Sequence, residues 1–155
     1  MAAWHRASGV HFEVSLVVGV PRERAYSAYT DFEAMPKWSK DKHQVKVSRR
    51  EGNTAFLETT SRAGGDRGAR QVKLFPPERV ESQGETRLTR ARSVVRFDEA
   101  PEGTRITASL DVEVKGRWSW VFRTRARSEA ESSAIEELES FARYVEGPPG
   151  ATNPI

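Results

Sequence analysis

The chain has no cysteine among its 155 residues, which excludes disulfide frameworks, thiol nucleophiles and Cys-ligated zinc. Histidine is almost as scarce. His5, His11 and His43 are the only three, and none stands at i, i+4 from another or beside an acidic neighbour. Each is therefore expected at a surface or strand edge, and neither a metal site nor a bound cofactor is expected. No apolar run approaches the ~20 residues that a membrane-spanning helix needs. The start, Met1-Ala-Ala-Trp-His-Arg-Ala-Ser-Gly9, lacks the apolar middle of a secretory signal, so residues 1–9 read as a loosely ordered leader of a cytoplasmic protein. No Ser-His-Asp arrangement can be placed, and no histidine is suited to general-base work. The Gly-rich segment from Arg62 to Gly68 lacks the Lys-Ser/Thr ending of a phosphate loop and leads into a strand. It reads as a long hairpin tip.

What is present fits one solvated domain. Charged residues make up 30% and apolar residues 37%, and the net charge is +3 with arginine well ahead of lysine. A balance this small does not by itself imply an anionic partner. From Val10 to Val18 the chain alternates, with Val10, Phe12, Val14, Leu16 and Val18 on one face and His11, Glu13 and Ser15 on the other. That is a strand with one buried face. Pro21 ends it and suits the first turn of a short helix carrying Ala25, Tyr26, Ala28 and Tyr29. Asp31 is placed to cap a second short helix through Phe32, Ala34 and Met35, cut short by Pro36. Strands are expected at 44–51, 54–62, 67–76, 78–84, 86–98 and 104–115, joined by turns such as Glu51-Gly-Asn-Thr54 and Glu99-Ala-Pro-Glu-Gly-Thr104. Ile106, Ala108, Leu110, Val112 and Val114 should face inward, and so should Ala91, Ser93, Val95 and Phe97. From Arg117 to Glu146 there is no Gly or Pro, and a helical period runs to the stop at Gly147-Pro-Pro-Gly150. Residues 147–155 read as a tail.

The strand followed by Val20-Pro21, Glu23, Ala25-Tyr26, then Asp31-Phe32-Glu33, Met35-Pro36 and Trp38, resembles the START-like, Bet v 1-like superfamily. More narrowly it is similar to the bacterial polyketide cyclase/dehydrase and lipid-transport group. The resemblance runs from about Phe12 to Val145. It implies an α+β helix-grip fold over residues 10–146, in which a curved seven-stranded antiparallel sheet wraps around a long C-terminal helix. The two short helices after the first strand would close one end of an elongated cavity. Such cavities hold lipids, sterols, polyketides and similar apolar molecules.

Ligand contacts are expected from Met35, Trp38, Ser93, Val95 and Leu110, and from Trp118, Val121, Arg125, Ser128 and Ser132 on the last helix. Along that helix Ile135, Leu138, Phe141, Ala142 and Val145 form an apolar stripe, which Arg125, Ser128 and Ser132 extend with polar groups. A packed core would not tolerate those groups unpaired, whereas a wet or ligand-filled cavity would. The rival is a helix whose first half faces water. Cyclases of the resembling group fold a reactive chain with the help of Arg, Tyr and hydroxyl groups. Arg70 or Arg125 could supply a guanidinium, but the phase of the strand at 67–76 is ambiguous and the outer face is the ordinary place for arginine. Glu136 and Glu137 read as solvated charge. Relatives that sequester enediynes, some by being cleaved themselves, would make a glycine beside the cavity vulnerable, with Gly64, Gly65, Gly68 and Gly116 as the candidates. Each also suits an ordinary turn. The stretch Arg117–Arg127 interleaves arginines with aromatics as nucleic-acid surfaces do, yet Glu129 and Glu131 balance it at helical spacing. The expected partner is therefore a hydrophobic, polyketide-like small molecule, with neither membrane nor nucleic acid, bound for transport, biosynthesis or self-protection.

Overall fold

Strand β1 (Gly9–Val18) buries Val10, Phe12, Val14 and Val18 and exposes His11, Glu13 and Ser15, as its alternation requires. Six further strands follow: β2 (Lys42–Glu51), β3 (Thr54–Ser61), β4 (Arg67–Phe75), β5 (Arg79–Glu85), β6 (Thr89–Ala100) and β7 (Gly103–Val114). All neighbours are antiparallel, in the order β1-β7-β6-β5-β4-β3-β2. The computed structural model describes residues 9–61, 67–85, 89–114 and 119–147, with the side chains of Gly9, Val114 and residues 119–126 left aside. Residues 1–8 of the leader, 148–155 of the tail and 62–66 of the Gly-rich tip therefore lie outside the described residues.

This order explains why the chain makes two short helices between β1 and the other strands. Strands β2 to β7 form a simple meander, and β1 joins its far end beside β7, so β1 and β2 are the two edges of the sheet. Residues 19–41 must carry the chain from one edge to the other. Laid flat, seven strands at ~4.8 Å spacing would separate the edges by roughly 29 Å. The crossing consists of α1 (Arg22–Tyr29) and a 3₁₀ helix (Phe32–Lys37). Pro21 stands one place earlier than expected, at the N-cap of α1 with an extended backbone. Asp31 does cap the 3₁₀ helix, but through its carbonyl, which accepts from the Ala34 amide at 3.0 Å, and not through its side chain.

The long helix α2 (Ser119–Glu146) lies against the inner face of the sheet and ends where Gly147 takes φ 86°. Its last turns are tied to the β1–α1 corner. The Gly19 amide donates to Glu146 Oε2 at 2.6 Å, and Arg24 Nη2 donates to the Val145 carbonyl at 3.3 Å. Leu138, Phe141 and Val145 are buried. Ile135 was expected on the same stripe but is 42% exposed, because at 100° per residue it falls well away from the line through Ala134, Leu138 and Phe141.

The two-residue turn between β6 and β7 is pressed against the end of β1. Gly103 has φ 147°, and a Cβ there would lie 2.2 Å from the Val18 carbonyl oxygen. Beside it, buried Thr104 donates from Oγ1 to the Val20 carbonyl at 2.7 Å. Gly52, in the β2–β3 turn, also has positive φ (58°), but a Cβ there would meet open space. Gly52→Ala should therefore cost about 1 kcal/mol, the left-handed penalty alone. Gly103→Ala should cost about 3 kcal/mol or more, since backbone overlap is added to strain. Urea unfolding of the two variants beside the parent checks this ordering.

Candidate functional site

Four aromatic rings from four elements meet at one end of the grip. Tyr29 of α1 packs on Trp38, which ends the 3₁₀ helix, with centroids 5.9 Å apart. It also meets Phe97 of β6 at 5.6 Å and Phe141 of α2 at 5.5 Å, both edge-on. Trp38 and Phe141 close the ring of contacts at 5.1 Å. Such pairs contribute about 0.5–1.5 kcal/mol each beyond the area they bury. They hold α2 on the short helices and form the floor of what lies above.

Above that floor the sheet and α2 do not close. A cavity of about 540 Å³ remains, lined by side chains from the sheet, from α2 and from the loop before β2. Its origin is the size of the facing residues. Ala91, Ala108, Gly68 and Gly84 on the sheet look toward Ala130 and Ala134 on the helix. Side chains this small cannot fill the gap between a sheet and a helix. One wall is apolar, built from Phe12, Val95, Leu110, Val112 and Leu138. The opposite side, on β4, β5 and the loop before β2, carries Arg70, Ser82, Asp41 and Lys42. Ser82 and Ser93, paired across β5 and β6, share a hydrogen bond of 2.6 Å on this surface.

Glu137 faces the cavity half-buried, where solvated charge was expected. Its two carboxylate oxygens accept from Ser39 Oγ at 2.9 and 2.8 Å, and Oε1 also accepts from the Lys40 amide at 3.0 Å. Ser39 Oγ in turn accepts from the amides of Asp41 (3.3 Å) and Lys42 (3.2 Å), so this hydroxyl clamps α2 to the start of β2. Its neighbour Glu136 is exposed, 3.6 Å from Lys40 Nζ.

Asp41 pairs with Lys42 and accepts from Ser61 Oγ at 2.9 Å. Burial pushes its carboxyl up, but the Lys42 hydrogen bond and charge, the Ser61 hydroxyl and the Arg70 charge together hold it below its ordinary value of 3.8. The Tyr29 phenol moves the other way. Burial raises it, the Arg70 charge opposes, the Glu137 charge adds to burial, and the net direction is up.

Of the residues anticipated as ligand contacts, Trp38, Ser93, Val95 and Leu110 line the cavity, and so does Gly68. Met35 is buried in the core and is not part of the lining. Ser128 and Ser132 are exposed on the side of α2 away from the cavity, because the inward line runs through Ala130, Ala134, Leu138 and Phe141. Ser133, one residue on, is exposed and contributes to the cavity lining. Val121 and Arg125 belong to α2, with side chains outside the described residues. Trp118, Gly64, Gly65 and Gly116 also lie outside them, as does most of the Arg117–Arg127 stretch.

Arg70 corrects the expectation of an outer face, since it lines the cavity. The signal was available in the alternation of Arg70, Val72 and Leu74, because buried Val72 fixes the phase. Asp41, Lys42 and Glu137 left no such trace, since their positions depend on how a loop and a helix meet. His11 has an acidic partner after all. Its Nδ1 lies 2.7 Å from Asp111 Oδ1, across the β1–β7 ladder and 100 residues away in the chain. No described helix is long and apolar enough to cross a membrane.

Comparisons with known proteins agree on the architecture. The family described as "Polyketide cyclase / dehydrase and lipid transport" matches residues 9–146. Among solved structures, the ZhuI aromatase/cyclase from Streptomyces sp. R1128 superposes with a TM-score of 0.81 at 10% identity, covering 93% of this chain and 99% of that one. The protein TTHA0849 from Thermus thermophilus gives 0.76 at 20% identity, covering 88% and 96%. A START superfamily protein from Mycobacterium smegmatis gives 0.70 at 20% identity, covering 89% and 97%. At these identities the likeness is one of fold. No curated protein matches the chain.

Two outcomes follow from the clamp and the charges. Glu137→Ala removes the acceptor for Ser39 and Lys40 and should cost about 1–3 kcal/mol in urea unfolding, with Glu137→Gln recovering part of it. Asp41, whose folded carboxyl lies below its unfolded value, stabilises the fold above that unfolded value. Its contribution is lost as pH falls through the lower folded one. The stability gap between the parent and Asp41→Asn should thus be present at about pH 7 and should close on acidification to about pH 3 and below, as urea midpoints across that range will read.

Proposed function

The chain belongs to the polyketide cyclase/dehydrase and lipid-transport family, and from that premise we propose that it binds a hydrophobic, polyketide-like small molecule between its sheet and α2. The observation that carries this reading is the cavity itself, about 540 Å³, walled by alanines on both faces and by glycines on the sheet. That volume lies within the roughly 300–1,000 Å³ typical of small-molecule sites. The apolar wall of Phe12, Val95, Leu110 and Val112 suits a flat or extended hydrocarbon body, and the Arg70 and Ser82–Ser93 side suits its oxygens. Carrying or sequestering the ligand is favoured over turnover, because no histidine and no nucleophile–base pair lines the cavity among the described residues. Self-protection against a reactive ligand is one form that sequestration would take, with Gly68 on the cavity wall as the glycine at risk. A second reading, an aromatase/cyclase, draws on the presence of Arg70 and the Tyr29 phenol in one cavity, where two donors could polarise a ketone.

Titration with a polycyclic anthraquinone, followed by backbone amide shifts, tests this reading, with duplex DNA as the control. Shifts are expected at Trp38, Ser93 and Leu110. Ala134→Trp, which fills the space opposite Ala108, should weaken binding by roughly tenfold or more. A variant that binds as well as the parent would overturn the proposal. Mass spectra of the same mixtures separate its forms. An intact ligand and chain mean a carrier, a chain cut at Gly68 means self-sacrifice, and a cyclised product from a poly-β-ketone means an enzyme.

A further inference from the structure

The reading above needs only an apolar cavity, but the charges around that cavity narrow the molecule that fills it. Five ionised side chains line the space: Asp41, Lys42, Arg70, Glu85 and Glu137. Four are already engaged. Lys42 and Asp41 pair with each other, and Asp41 also accepts from Ser61. Glu137 is held by the Ser39 hydroxyl and the Lys40 amide, and Glu85 lies 3.6 Å from Arg90. Arg70 has neither a hydrogen-bond nor an ion-pair partner among the described residues, although its charge acts on both Asp41 and Tyr29. A half-buried guanidinium has five N–H donors and no acceptor, and leaving it partly desolvated and unpaired is costly.

The fold also keeps space for this side chain. Gly84, next to last in β5, stands opposite Arg70 in the β4–β5 ladder and brings no side chain against it. A Cβ at Gly84 would lie 3.5 Å from both Cβ and Cγ of Arg70 and 3.1 Å from the Ala69 carbonyl oxygen. The glycine thus leaves one flank of the arginine stem uncovered, where an added Cβ would be in ordinary contact with it and tight against the β4 backbone. The Tyr29 hydroxyl, also on the cavity wall, has no hydrogen-bond partner among the described residues and remains a donor at neutral pH. Both uncommitted groups are therefore donors, and one carries a full positive charge. Ser82, hydrogen-bonded to Ser93, lies diagonally from Arg70 along the same wall, about 7–8 Å away by strand geometry.

We propose that the cavity selects an acidic ligand, an apolar ring system bearing one ionised oxygen group that Arg70 and Tyr29 receive, with a neutral oxygen toward Ser82 and Ser93. This rests on the cavity reading and adds the charge of the ligand to it. A carboxylate, an acidic enol or a sulfonate would serve, whereas the matching ester or hydrocarbon would leave Arg70 unpaired.

Two dyes that share a ring skeleton test the charge alone: 1-anilinonaphthalene-8-sulfonate and the uncharged N-phenyl-1-naphthylamine, each titrated by fluorescence. The sulfonate should bind roughly 10- to 100-fold tighter, the range expected for one charge-assisted hydrogen-bonded contact. In Arg70→Met the ratio of the two affinities should fall to about one, and Arg70→Lys should restore part of it. Equal affinities in the parent would overturn the acidic-ligand proposal and leave the cavity reading intact. A sulfonate preference that survives Arg70→Met would overturn it too, assigning the preference to surface charge. Failure of both dyes to bind would overturn the proposal together with the cavity reading.

Discussion

The packing of Tyr29 against Trp38, Phe97 and Phe141 is the contact on which the rest of the structure depends. It joins α1, the end of the 3₁₀ helix, the middle of the sheet and α2 at one point. Without it the long helix would be held by hydrogen bonds at its last turn, through Glu146 and the Val145 carbonyl, and by the Glu137 clamp to Ser39 and Lys40. With it, the C-terminal half of α2 is fixed against the sheet, and the helix leaves a gap over its preceding turns. The floor and the cavity are thus two results of one arrangement. Rings fill the space where the elements converge, and alanines and glycines leave it open above.

That division also determines where polar groups can sit. Away from the cavity lining, Ile106, Val72, Leu57 and Phe97 are buried almost completely, and a charge there would have no compensation. Around the cavity, charges are tolerated because they meet partners or open space. Glu137 shows the first case, with three hydrogen bonds reaching it from Ser39 and Lys40. Arg70 shows the second, standing across from a glycine that gives it room. The clamp through Ser39 has a structural role as well, since it fixes the entry into the edge strand β2 against the helix that forms the cavity roof.

The order of elements was legible because each signal is local. Period-two alternation marked β1 and β7 within a residue, and β6 within three, Pro21 and Pro36 marked the short helices, and Gly147 marked the end of α2. Lining residues on strands could be read as well, since Ser93, Val95 and Leu110 share a face with neighbours that are plainly core. The helix was harder. A stripe that includes Ser128, Ser132 and Ile135 differs from the true line through Ala130, Ala134, Leu138 and Phe141 by a rotation. Small alanines give a weak hydrophobic signal, so the larger side chains misled the phase.

The sequence by itself determined the order of secondary structure and the existence of an inner face, because these follow from periods of two and 3.6 residues and from turn chemistry, and the motif from Val20 to Trp38 carried the resemblance to the family. Only the tertiary structure decided which charges face the cavity and which of them are spent. Asp41, Lys42 and Glu137 come together from a loop and a helix almost 100 residues apart, and His11 finds Asp111 only through the pairing of an edge strand with the last one. The partner of a charge is a matter of distance in space. Chain order does not carry that distance until the sheet has curled and the helix has docked.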